Sequence, residues 1–283
     1  MIAPDLSQRA RGALLGAAVG GALAEPVTVP SGAGPVAAAL DPRNALTVIL
    51  AEELLTSEVD LRRLAHRWAE WAEVDGRGLG QWTRMALEHI RRHDAPVMAP
   101  ATLSDIEVIS WCLPVALKSA GQPANLVSGT YHTAALTHPD ERVAWGAVAI
   151  NVTAACFLSG RRDFIGDVLE ALRENGAPPD LLAALRRVPA ERRTDLAPAE
   201  GAAADPTSGV EAVLWLAYHE PSFERGLIWL SSTGPGPASL AAAGGLMGTR
   251  DGEDAIPWEW RERLADRERL RKVATRLVGG TLA

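Results

Sequence analysis

Gly12, Gly16 and Gly20 recur every four residues inside an otherwise apolar run from Gly12 to Ala24. At 3.6 residues per turn this spacing puts all three on one helix face, and a face without side chains lets a second backbone approach closely. A helix of that kind belongs in a packed interior, so a second helix is expected to lie directly on it. The run follows Arg9 and Arg11 and ends in Ala22-Leu23-Ala24, which mimics a secretory signal with its cleavage site. It is too short to span a bilayer, and the glycine face favours the interior helix.

Helical periodicity continues along the chain. Apolar residues at spacings of three and four predict helices over 45–55, 61–74, 81–92, 108–120, 141–159, 164–174, 181–187, 209–218, 223–230, 240–247 and 258–277. No alternating strand pattern interrupts them. Pro and Gly punctuate the breaks, the longest being 189–208, which reads as a surface excursion. Ser222 and Asp163 stand where they can cap the helices that follow. The breaks do not divide the sequence into halves that could fold alone, and no solenoid repeat is present. The expected architecture is all-α, a compact multi-helix single domain over residues 1–283.

Composition narrows the partners. With 47% hydrophobic residues and a net charge of −7, the chain reads as a mildly acidic globular protein. Its Lys and Arg residues are dispersed among acids, so neither nucleic acid nor an anionic membrane is expected as a partner. Cys112 and Cys156 sit in apolar segments without metal or disulfide spacing, which fits buried thiols and a cytoplasmic location. His89 and His93 are one turn apart, but they lie among charged residues and the further ligands of a closed metal site are not apparent. Of the nine tryptophans, Trp68 and Trp71 share one helical face and Trp82, Trp145, Trp215 and Trp229 fall in apolar stretches, so most of them read as core.

Several blocks resemble one family. Arg9-Ala10-Arg11-Gly12-Ala13-Leu14-Leu15-Gly16 through Leu23 is similar to the first helix of the ADP-ribosylglycohydrolase and dinitrogenase-reductase-activating glycohydrolase family, with Gly21 where the family has Asp. Leu50-Ala51-Glu52-Glu53-Leu54-Leu55 resembles the helix after the family's Thr-Asp-Asp-Thr metal motif, which places Asp41-Pro42-Arg43-Asn44 on that motif. Leu136-Thr137-His138-Pro139, with Gly146 eight residues past the histidine, is similar to the Thr-His stretch at the ligand pocket. Ala243 to Gly248, Ala255-Ile256-Pro257 and Asp266 to Leu270 follow the closing pattern, while Pro235-Gly236-Pro237-Ala238 occupies the slot of a second acidic cluster. The resemblance runs from about Gln8 to Leu277.

That resemblance implies a helical fold, a central cleft for an ADP-ribose-like small molecule, and two Mg²⁺ ions held by carboxylates and threonine hydroxyls. The residues at the metal positions do not supply those ligands. Mg²⁺ wants about six oxygens near 2.1 Å, whereas Pro offers none and Arg43 adds positive charge. No metal or other cofactor is therefore expected.

Chemistry without metal would fall to acids near the cleft, and Asp41 and Glu25 are the catalytic candidates, since two carboxylates about 5 to 10 Å apart can hydrolyse a glycosidic bond. Arg43, Asn44, Glu107, Trp111, His138, Gly146 and Gly236 are the candidate ligand-binding residues. Trp111 stands at the family's Arg position and can stack on a ring or fill vacated volume. Two functions follow as expectations. One is a family member without Mg²⁺-dependent activity that binds a small ligand or a protein partner; the other is a repurposed metal-independent enzyme acting on a ribosyl or other small metabolite.

Overall fold

The structure, a computed structural model, describes residues 3–24, 42–56, 59–96, 105–196, 206–233 and 236–279. Those residues form fourteen α-helices and no strand. Asp41 and Glu25 lie outside the described residues.

The central pair is α1 (Leu6–Leu23) and α12 (Gly236–Asp251), antiparallel and in backbone contact. A Cβ on Gly12 would stand 2.1 Å from the Gly248 carbonyl oxygen, and one on Gly244 would stand 2.1 Å from that of Gly16. Gly20 meets Leu240 in the same way. Two of the three glycines thus face glycines on the partner, Gly248 and Gly244, the third faces the Leu240 backbone, and the apolar run is an interior helix. Asp5 starts α1 with a capping box, accepting from the Gln8 amide while the Gln8 side chain accepts from its own.

Around this pair pack α2 (Pro42–Leu54), α5 (Leu113–Ser119), α7 (Glu141–Leu158), α10 (Pro206–His219), α11 (Phe223–Ser232) and α14 (Arg267–Gly279). α3 (Leu61–Asp75) pairs with α4 (Gln81–His93), α6 (Pro123–Ala135) with α7, and α8 (Ile165–Glu174) with α9 (Pro179–Arg187). The short α13 (Trp258–Glu262) precedes α14. α7 is apolar on all sides because it is enclosed: 83% of it is buried within the fold, although its length and hydropathy would suffice to cross a bilayer. One contiguous hydrophobic core links these helices.

Four local expectations are revised. Residues 108–120 are not one helix, because Pro114 lacks the amide that a continuous helix needs; a 3₁₀ turn, Glu107–Ser110, precedes α5 instead. Residues 258–277 divide after Glu262, where Leu264 and Leu270 are six residues apart and cannot share one helical stripe. α6 has no counterpart among the predicted helices, since Thr130 and Thr133 make up half of its buried face and blur the apolar period. Ser222 caps α11 as expected, accepting from the Arg225 amide, but α8 begins one residue late for Asp163 and has no side-chain cap.

Candidate functional site

Four segments distant in sequence converge beside the central pair. α2 begins at Pro42, whose fixed φ and missing amide suit a first helical position. This places Arg43 in the first turn. Its guanidinium is 3.2 Å from Glu107 Oε1, with only 4% and 9% of the two side chains exposed. Glu107 begins the 3₁₀ turn, and its other oxygen accepts from the Thr83 hydroxyl at 2.6 Å and the Gly80 amide at 2.9 Å. Gly80 precedes α4, and a side chain there would collide with both acids: an added Cβ would lie 2.6 Å from Asp105 Oδ2 and 3.0 Å from Glu107 Oε2.

Asp105 is the second acid of the group. Its Oδ1 accepts from the Glu107 amide at 3.0 Å and from His138 Nε2 at 2.7 Å. An ionised carboxylate has no proton to give, so Nε2 is the donor. His138 Nδ1 lies 2.8 Å from the Thr137 hydroxyl, and the Thr137 carbonyl accepts from Trp82 Nε1 at 2.8 Å. Both residues are held in the turn after α6 by hydrogen bonds that their backbone amides donate to the Ala134 carbonyl. The histidine has no solvent exposure, whereas a third of the Asp105 side chain is exposed.

The two acids are pushed in opposite directions. Burial raises the Asp105 carboxyl, but the His138 hydrogen bond and charge, with the Glu107 amide and Arg43, outweigh it and hold the group below its ordinary value. Burial and the Asp105 charge push Glu107 above its ordinary value, against the opposing pull of Thr83, Arg43 and the Gly80 amide. Two carboxyls separated in this way suit different protonation states at one pH.

Aromatic packing fixes the frame. Trp111 is fully buried, edge-to-face with His138 at 5.8 Å between centroids and with Trp68 at 6.3 Å, while Trp68 Nε1 donates to the Leu46 carbonyl of α2. Trp111 Nε1 has no hydrogen-bond partner among the described residues, nor has the buried Ser239 Oγ of α12. Ser239 and Ile106 face each other across Gly209, which bears no side chain to keep them apart. The start of α12 therefore adjoins the segment that carries Asp105 and Glu107.

Of the sequence candidates, Arg43, Glu107, Trp111 and His138 are brought together here. Asn44 is buried in the first turn of α2. Gly146 lies where α7 crosses α10, with Val210 Cγ2 2.7 Å from where a Cβ would stand, and Gly236 starts α12 with a φ of +71°. Asp105 and Thr83 were not among the candidates. The Asp-x-Glu spacing of 105 and 107 was the only local signal for Asp105.

The profile described as ADP-ribosylglycohydrolase matches residues 3–282. The chain belongs to that family. Among solved structures, an "ADP-ribosylglycohydrolase-related protein complex" is similar at 22% identity with a TM-score of 0.78, covering 97% of this chain and 98% of that chain. That likeness carries the fold. No curated protein matched.

Family membership makes a dimagnesium centre the natural question, and the residues described here do not fit one. No group of three or more His, Cys, Asp or Glu side chains among them is arranged to hold a metal ion. Glu107 already accepts from Arg43, Thr83 and Gly80, and Asp105 Oδ1 from two further donors. A dication beside them would also meet the Arg43 guanidinium, a like charge in a poorly solvated place.

Proposed function

We propose that this ADP-ribosylglycohydrolase-family protein binds an ADP-ribose-like small molecule without divalent metal and is not a Mg²⁺-dependent ADP-ribosyl hydrolase. The observation that carries this reading is Arg43. Its residue stands on the segment that resembles the family's first metal motif, and its guanidinium is buried against Glu107. A cation built into the chain neutralises the acid there, with a planar fork of donors in place of a coordination sphere. Such a pair balances the charge of the acid without recruiting an ion.

A second reading, a metal-independent activity on a ribosyl compound, is supported by Asp105 and Glu107. Their opposed tendencies suit a base and an acid, and both have an oxygen within 3.0 Å of one point beside Gly80. That proximity resembles the close carboxyl pair of glycosidases that act without metal.

Mass spectrometry of an ADP-ribosylated peptide incubated with the protein tests both. The first reading expects no release of ADP-ribose in either EDTA or Mg²⁺. Release in EDTA that Asp105→Asn abolishes would establish the second, and release that requires Mg²⁺ would overturn both.

A further inference from the structure

The Arg43–Glu107–Asp105–His138 network contains four groups able to contact a polar ligand, and three are enclosed. The His138 ring has no exposure and both its nitrogens are engaged. Arg43 and Glu107 are turned inward on each other. Asp105 differs: Oδ1 is fixed by two donors from inside, a third of the side chain reaches the surface, and Oδ2 has no hydrogen-bond partner among the described residues.

We propose that Asp105 is the ligand-contacting residue of this site, its Oδ2 accepting hydrogen bonds from the hydroxyl groups of a sugar while His138 and the Glu107 amide hold the carboxylate in place through Oδ1. The inference rests on the reading of the chain as a binder of an ADP-ribose-like molecule and adds which residue grips it and by which part.

Two features point to hydroxyl donors. A carboxylate can only accept, so it selects a ligand group that donates. A cationic ligand group would approach the charge of Arg43, which is already within the field of Asp105, whereas a neutral hydroxyl meets no such penalty. The carboxylate is also oriented before the ligand arrives, so little side-chain freedom is lost on binding. Burial elsewhere in the network is what provides that orientation: Trp111 covers the His138 ring and Trp82 holds the Thr137 carbonyl. His138 is accordingly a positioning residue.

Calorimetric titration of ADP-ribose, ADP and the ADP-ribose analogue with a terminal 2-deoxyribose into wild type and Asp105→Asn tests the assignment. The wild type is expected to bind ADP-ribose about tenfold to a hundredfold more tightly than the deoxy analogue, as loss of a bond to a charged acceptor requires. Asp105→Asn should bring the two sugars within about threefold of each other and leave ADP unchanged. If Asp105→Asn does not fold, Asp105→Ser takes its place, and equal wild-type affinity for the two sugars overturns the assignment without any variant. A folded variant that keeps the full preference for ADP-ribose also overturns it while leaving the ligand reading intact. Absence of saturable binding of ADP-ribose to the wild type overturns both.

Discussion

Arg43 and Glu107 are 64 positions apart in the chain and meet at 3.2 Å with both side chains nearly excluded from solvent. Removing one member of a buried pair strands the other, at a cost of about 3 to 5 kcal/mol. Arg43→Met should therefore lower stability at pH 7 by about 3 kcal/mol, measured by urea unfolding. The loss should shrink at pH 5, because without Arg43 the already raised Glu107 carboxyl takes up a proton more readily. Arg43→Met combined with Glu107→Gln should recover more than half of the loss; strict additivity of the two substitutions would show that the pair is not coupled.

The glycine contact of α1 and α12 gives a sharper test of the fold. Gly16→Ala would place a methyl group 2.2 Å from the Gly244 carbonyl oxygen, and backbone cannot yield as a flexible side chain can. Overpacking of this kind costs about 1 to 3 kcal/mol or more. Gly121→Ala and Gly166→Ala, where a Cβ meets nothing within 4 Å, are the controls and should leave the melting temperature close to that of the wild type. Equal tolerance at all three positions would contradict the close helix approach.

His138 acts through Asp105, so its substitution should separate according to hydrogen bonding. His138→Gln retains a side-chain donor and should keep ADP-ribose affinity within about tenfold, whereas His138→Leu keeps bulk, loses the donor and should lose about as much as Asp105→Asn. Calorimetry on both variants checks this. The same loss in both would reduce His138 to a packing role.

A second carboxyl pair lies at the far end of α9. Glu211 accepts from Arg187 at 2.7 Å and is hydrogen-bonded to Glu191; burial first, then the Glu191 charge, pushes it up to about 7 from its ordinary 4.5. The native state then holds a proton that the unfolded chain releases above pH 4.5. The resulting stability is full below that pH and is lost as pH rises through about 7, by on the order of 2 kcal/mol. Glu211→Gln should flatten the dependence between pH 5 and 8 in chemical unfolding; an unchanged slope would assign it to other groups.

The sequence was most legible where one residue type must do one geometric job. The glycine repeat of α1 required a close partner, and the glycines of α12 supplied it. Ser222 read correctly as a cap because its signal is local. α6 was illegible because its buried face uses threonines, which periodicity counts as polar. Asp105 was missed for a different reason: its contacts to His138, 33 positions away, and to the Gly80 turn arise only when loops converge, and no spacing within one segment encodes that. The family resemblance located Arg43 and His138, but the network that joins them became visible only in the fold.

Metal-free binding is tested most directly by calorimetric titration of ADP-ribose into protein stripped with EDTA, repeated in millimolar Mg²⁺. Saturable binding with the same affinity in both, within about twofold, is expected, because Arg43 already balances the acid at the site. Binding that appears only with Mg²⁺, or tightens more than tenfold on its addition, would contradict it.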